Sequence, residues 1–218
     1  MDDVSQKLSR TLWVGIGLLI VIVCVSYVLS RLEPGRVPAT SPRVLGQVAD
    51  FTLTNQAGVV VSLAALRGHV WVADIIFTRC AGPCPRMTKQ MKSLQDALPP
   101  GSQTRLVTLT TDPDFDTPPV LKTYGERFGA NPNRWKFLTG AKKEIAALAI
   151  DSLKLTAIEK KPDERENPED LFIHSTIFVV VDKQARLRGV FETAGEGVDP
   201  ALVRSEIITM VQQLERAR

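Results

Sequence analysis

The chain has 218 residues, of which 44% are hydrophobic, 23% charged and 6% aromatic. That composition excludes a disordered, collagen-like or disulfide-scaffold protein. Lys plus Arg number 27 against 24 for Asp plus Glu, and a net charge of +3 is too small a field to mark a nucleic-acid binder.

Thr11 to Ser30 carry no charge over twenty residues. A helix rising about 1.5 Å per residue needs about 20 such residues to cross a bilayer. Trp13 and Tyr27 stand near the two ends, where amphipathic rings prefer the interface. A cleaved signal peptide would have a shorter apolar region, about 7–15 residues, closed by a small-residue site. Tyr27-Val28-Leu29-Ser30-Arg31 offers no such site. The expectation is an uncleaved transmembrane anchor, residues 1–31 with their short cytoplasmic tail, and a globular part on the outer (periplasmic or equivalent) side. Leu32 to Arg43 hold three prolines and read as a stiff linker, residues 32–43. The globular domain is then 44–218, with 22 basic and 21 acidic residues. Its function must come from a local site.

Val48–Thr54 and Val59–Val61 flank the turn Asn55-Gln56-Ala57-Gly58 and predict a hairpin. Leu63–Leu66 is a helical turn ended by Gly68. His69–Phe77 is almost continuously apolar, as a strand buried on both faces is. Pro85–Leu98 has Met87, Met91, Leu94 and Leu98 at helical spacing, and Pro99-Pro100-Gly101 stops it. Arg105–Thr110 reads as a strand, Asp112–Thr117 as a turn, Pro118–Phe128 as a helix and Trp135–Leu138 as a short strand. Thr139 reads as the N-cap of a helix over Ala141–Leu153. Glu159–Asp170 has six acids, three bases and two prolines and reads as a solvated loop. Phe172–Val181 and Arg188–Phe191 predict two strands around the turn Asp182-Lys183-Gln184. Asp199 caps a last helix, with Pro200 at its first position. Such an order predicts an α/β sandwich with a mixed sheet of about five to seven strands.

Cys24 lies in the apolar run and reads as a small residue in lipid. Cys80 and Cys84 stand in Cys80-Ala81-Gly82-Pro83-Cys84-Pro85, between the buried strand and the helix. Such junctions, at the carboxyl ends of strands, are where chemistry collects in α/β sheets. Three residues separate the pair, not the two of the usual dithiol redox motif. With Pro85 first in the helix, Cys84 is expected at the N-cap, where the helix dipole, Arg79 and Arg86 favour a thiolate. The pair can either cycle between dithiol and disulfide or bind a metal. Copper(I) accepts two or three ligands and suits thiolate with imidazole. Of the two histidines, His69 reads as a strand-entry residue. His174 precedes an apolar strand that could lie beside the central one, which would bring it to the cysteine loop. Met87 and Met91 read as helix core, and Asp112 and Asp116 as turn formers able to shape the neighbouring loop.

Together these residues resemble the Sco/SenC family, membrane-anchored thioredoxin-like proteins that deliver copper to the binuclear copper centre of cytochrome c oxidase. The likeness runs from about Gly46 to Leu214. It rests on Phe77-Thr78-Arg79-Cys80-Ala81-Gly82-Pro83-Cys84-Pro85, on Thr111-Asp112-Pro113-Asp114-Phe115-Asp116-Thr117 with Leu121 and Tyr124, and on His174-Ser175-Thr176. Two positions depart from the family pattern: Ala81 stands where many members have Pro, and Ile173 where many have Asp.

The resemblance implies a thioredoxin-like sandwich with an N-terminal hairpin. It implies Cys80, Cys84 and His174 as ligands of a copper ion, Cu(I) or Cu(II), and a copper-receiving subunit of cytochrome c oxidase as partner. An oxidising compartment would close the cysteines to a disulfide, so a thiol reductant protein is expected as a second partner. The other reading is a thiol–disulfide oxidoreductase with Cys80 and Cys84 as its redox pair, reducing the cysteines of a copper protein. A thiol peroxidase has only fold analogy behind it.

Overall fold

The computed structural model describes residues 13–26, 42–165 and 171–217. Residues 1–40 and 41–218 form two separate units. In the first, residues 13–26 form helix α1, apolar and exposed along its whole length. Among the described residues no helix is long and apolar enough to cross a membrane. Positions 11, 12 and 27–30 of the expected span, and the linker up to 41, lie outside the described residues.

The second unit has strands β1 (Gly46–Gln47), β2 (Thr52–Asn55), β3 (Val60–Ser62), β4 (Trp71–Ile76), β5 (Arg105–Thr110), β6 (Trp135–Thr139), β7 (Ala157–Glu159), β8 (Phe172–His174), β9 (Ile177–Val181) and β10 (Arg186–Glu192). Its helices are α2 (Leu63–Leu66), α3 (Cys84–Ala97), α4 (Pro118–Arg127), α5 (Lys142–Ala146, continued by a π-helical turn Ala147–Ser152) and α6 (Pro200–Arg216). Eight strands form one sheet in the order β1-β10-β9-β4-β5-β6-β2-β3. β4, β5 and β6 are parallel, and β9 joins β4 antiparallel. β7 and β8 make a separate antiparallel pair.

The period of the strands explains the layers, because alternate side chains leave a strand on opposite faces. Trp71, Ala73 and Ile75 of β4 enter one core with Val107, Leu109, Ile145 and Leu148. Val72 and Ile76 enter the other, with Met87, Met91, Leu121, Tyr124, Ile207 and Val211. β4 is therefore buried on both faces, as its apolar run predicts, and α3, α4 and α6 share one side of the sheet. The expected β2–β3 hairpin is present: Asn55 Oδ1 accepts from the amides of Ala57 and Val59, and Gly58 takes the left-handed conformation at φ +75°. Asp199 caps α6 through the Ala201 amide, as expected.

Four details depart from expectation. The sheet has eight strands rather than five to seven. The addition is β1, an edge pairing of two residues on β10, too short to carry a pattern. Phe172–Val181 is not one strand but two: β8 pairs with β7 and β9 with β4 and β10, with Ser175 and Thr176 between them. Ser175 instead exchanges hydrogen bonds with Thr156. Thr139 ends β6, and Ala141 is the N-cap of α5. Finally, Pro42, expected in the linker, is held by the domain, its carbonyl accepting from the Arg188 guanidinium (Nε···O 2.9 Å).

Candidate metal centre

The parallel strands β4 and β5 end side by side at Ile76 and Thr110. The segment from Phe77 to Pro83 leaves the first and carries Cys80; the turn from Thr111 to Thr117 leaves the second and carries Asp112 and Asp116. Cys80 is partly exposed and Cys84 is fully buried. The two side chains share a hydrogen bond, so the pair is together at the strand–helix junction. The Gly82 amide donates to Cys80 Sγ at 3.4 Å.

Pro83, not Cys84, is the N-cap of α3, so Cys84 is the first helical residue. That shift turns its side chain into the core with Met87 and Met91, both fully buried as expected of helix core. Burial opposes the thiolate expected at Cys84. Burial pushes its thiol well above the ordinary range, the neighbouring Cys80 adds to this, and a hydrogen bond from the Phe77 backbone does not offset them. Nor is Arg79 available to supply charge. Its guanidinium pairs with Asp112 at 2.5 Å and lies 4.2 Å from the Phe115 ring centre. Arg86 points to solvent. A coordinating metal would displace the proton from this buried thiol.

The start of α3 is fixed from below. Thr88 Oγ1 donates to the Cys84 carbonyl at 2.9 Å and lies 2.9 Å from the Tyr124 hydroxyl, which must then donate to it. Burial raises the Tyr124 phenol above its ordinary range, which keeps it a donor.

The aspartates do more than form a turn. Asp116 is fully buried and accepts from the Thr78 amide at 3.1 Å and from the hydroxyls of Thr78 and Thr110. Burial raises its carboxyl, against these three hydrogen bonds. The Thr110 hydroxyl in turn accepts from the Asp112 amide at 2.9 Å. Sequence reasoning found the aspartates but missed Thr78 and Thr110, since a threonine at a strand end is ordinary and its partner lies 38 residues away in one case.

The β7–β8 pair sits at the same end of the sheet. The Phe172 ring packs edge-on against Phe77 with centroids 5.2 Å apart. His174, two positions along β8 from Phe172, pairs through its backbone with Ala157. Its side chain lies outside the described residues. Among the described residues, no group of three or more His, Cys, Asp or Glu side chains gathers as a metal cluster. The second histidine, His69, stands just ahead of β4, at the end opposite the cysteines, as a strand-entry residue would.

The family model described as SCO1/SenC matches residues 41–212. The chain belongs to the SCO1/SenC family. A SCO1 homologue of Bacillus subtilis is 38% identical over 143 residues, covering 65% of this chain and 71% of that protein. The structure of BsSco, described as a member of the Sco family of cytochrome c oxidase assembly proteins with a disulfide switch, is 33% identical. It superposes with a TM-score of 0.68 over 82% of this chain and 100% of the other. ScoI of Bradyrhizobium japonicum, solved with copper bound, shares the fold at 21% identity and a TM-score of 0.61, over 75% and 99% of the two chains. The architecture described above is accordingly the thioredoxin-like fold of Sco structures.

Proposed function

We propose that this SCO1/SenC member binds a copper ion through Cys80, Cys84 and His174 and passes it to the binuclear copper centre of cytochrome c oxidase. The observation that carries the reading is the asymmetric dithiol at the end of β4, one sulfur buried in the core and its neighbour reaching solvent. Two adjacent soft donors suit copper(I). The buried thiol would keep the ion on the protein, while the accessible one would be first to exchange with a receiving ligand. Phe172 packed on Phe77 supports the third ligand, because it anchors the strand that carries His174 beside the segment that carries Cys80. Copper would supply the affinity for an acceptor's own soft ligands. The chain's residues hold the ion, exclude water on one side and leave the other side open.

An anchor over residues 11–30, placing the domain on the outer side of the membrane, completes the proposal. Its support is the uncharged run and the wholly exposed apolar helix α1.

The test is copper titration of the reduced full-length chain in detergent, wild type against His174→Ala. The expected result is one copper per wild-type chain, with a sulfur-to-copper(II) charge-transfer band that His174→Ala abolishes or strongly weakens. An unchanged band would remove His174 from the ligand set.

The same asymmetry favours a second reading as a thiol–disulfide oxidoreductase. Cys80, as thiolate, would attack a partner's disulfide. Cys84 would then resolve the mixed disulfide, moving two electrons to the partner's sulfurs as Cys80–Cys84 closes. A thiol reductant protein would reopen the pair. Turnover that survives both chelation and His174→Ala would favour this reading over delivery.

A further inference from the structure

We propose that Asp116 is a positioning residue for Cys80, a buried staple that clamps the cysteine segment to the turn after β5. This rests on the reading of Cys80 as a metal ligand. The two cysteines are held in different ways. Cys84 belongs to a helix, with its sulfur in the core and its carbonyl tied to Thr88. Cys80 lies in irregular chain between β4 and α3, followed by the exposed residues Ala81 and Gly82. Its place depends on what holds the residues just before it.

Those residues are tied to one turn. Thr78 gives Asp116 both its amide and its hydroxyl hydrogen, so two bonds fix one residue in position and rotation. Arg79 is tied to Asp112. The Cys80 amide turns back to the Phe77 carbonyl at 3.2 Å. The two aspartates form a single unit, because the Asp116 amide donates to the Asp112 carbonyl at 2.8 Å and Thr110 bonds to both residues. Asp116 is the fully buried member, while Arg79 on the other clamp is half exposed. Hydrogen bonds to a buried carboxylate hold geometry more firmly than an ion pair whose cation reaches the surface. Groups behind a metal ligand that orient it typically contribute about 10–100-fold to metal affinity.

A matched control exists at the opposite end of the sheet. Glu215 also accepts three hydrogen bonds, from the Ser102 and Thr104 hydroxyls and the Gln103 amide, far from the cysteines. Asp116→Ala and Glu215→Ala therefore remove hubs of similar size, and only one holds the cysteine segment. Asp116→Asn keeps the shape and one acceptor oxygen, and the Thr78 hydroxyl can turn to accept from the new amide.

The experiment has two readouts on the full-length reduced chain in detergent: copper(I) affinity by competition with a chelator, and the iodoacetamide alkylation rate at Cys80 in metal-free protein. Asp116→Ala is expected to weaken copper(I) binding about tenfold or more and to speed alkylation several-fold. Asp116→Asn should stay close to wild type. Glu215→Ala should lower the unfolding midpoint and leave both readouts unmoved. Should Asp116→Ala fail to fold, Thr78→Val removes one of the two bonds on Thr78 and should move both readouts the same way, less far. Wild-type behaviour of Asp116→Ala, or equal changes in Glu215→Ala, would overturn the staple. A wild-type chain that binds no copper would instead overturn the metal reading, leaving alkylation to decide the positioning role.

Discussion

Asp182→Ala is expected to destabilise the domain by about 3–5 kcal/mol, the usual loss when one partner of a buried ion pair is removed. Asp182 sits at the turn between β9 and β10 with its side chain only 3% exposed. It accepts from Arg188 Nη1 at 2.5 Å, Arg186 Nε at 2.8 Å, and the amides of Gln184 and Arg186 at 2.9 Å each. The Arg188 side chain is equally buried, at 4%. The alanine variant strands that cation, with the Pro42 carbonyl still against it. The Arg186 bond, half exposed, adds little.

Burial pushes the Asp182 carboxyl up, but the backbone amide of Arg186, the two arginines and the Gln184 amide outweigh it, and the net shift is downward. A folded-state pKa below the unfolded one means stability that is complete above the ordinary carboxylate range. It is lost as pH falls through the depressed folded value. Urea unfolding of wild type and Asp182→Ala should therefore show the full gap at neutral pH and a narrower one in acid. A neutral-pH gap below about 1 kcal/mol would mean that the pair contributes no more than a surface bridge.

Phe172→Ala should cost about 3 kcal/mol where the ring packs, toward the low end for a buried phenylalanine. The loss should fall on the β7–β8 pair rather than on the whole domain. Phe172 is 9% exposed, packs on Phe77, and lies 6.0 Å from the Lys142 ammonium, itself bonded to Glu159 of β7. That ion pair is exposed on both sides and holds little. Without the ring the hairpin should open locally while the eight-stranded sheet stays intact. Hydrogen exchange should speed at the amides of β7 and β8 and remain slow in β4 and β5. Because His174 rides on the same strand, the copper(II) charge-transfer band should weaken although both cysteines are present. Unchanged exchange in β7 and β8 would show that Phe172 does not anchor the hairpin.

Both substitutions act through contacts that no local pattern carries. The Phe172–Phe77 contact spans most of the domain, and Arg188 reaches back 146 residues to Pro42. Asp182 was legible as a turn residue, because aspartate accepts from amides two and four residues on, but its burial with Arg188 was not. The same holds at the cysteines. Their place between a doubly buried strand and a helix follows from the apolar run His69–Phe77 and the spacing of Met87, Met91 and Leu94. The burial of Cys84 turned on a single-residue shift of the helix start, which neighbouring prolines at 83 and 85 leave open, since either suits a first turn.

The sequence by itself determined the long elements and the place of the cysteine pair. Helices α3, α4 and α6 and strands β4, β5 and β6 all stand where apolar runs, apolar spacing or end signals put them, and the two cysteines follow a buried strand as read. Tertiary structure alone decided which strands pair at the sheet's edges, that β8 breaks from β9, that Cys84 is buried, and that Asp116 grips Thr78. The physical reason is the range of the information. Hydrophobic period reports which face of one element is buried, whereas pairing, desolvation and a hydrogen bond between two loops depend on atoms that only folding brings together.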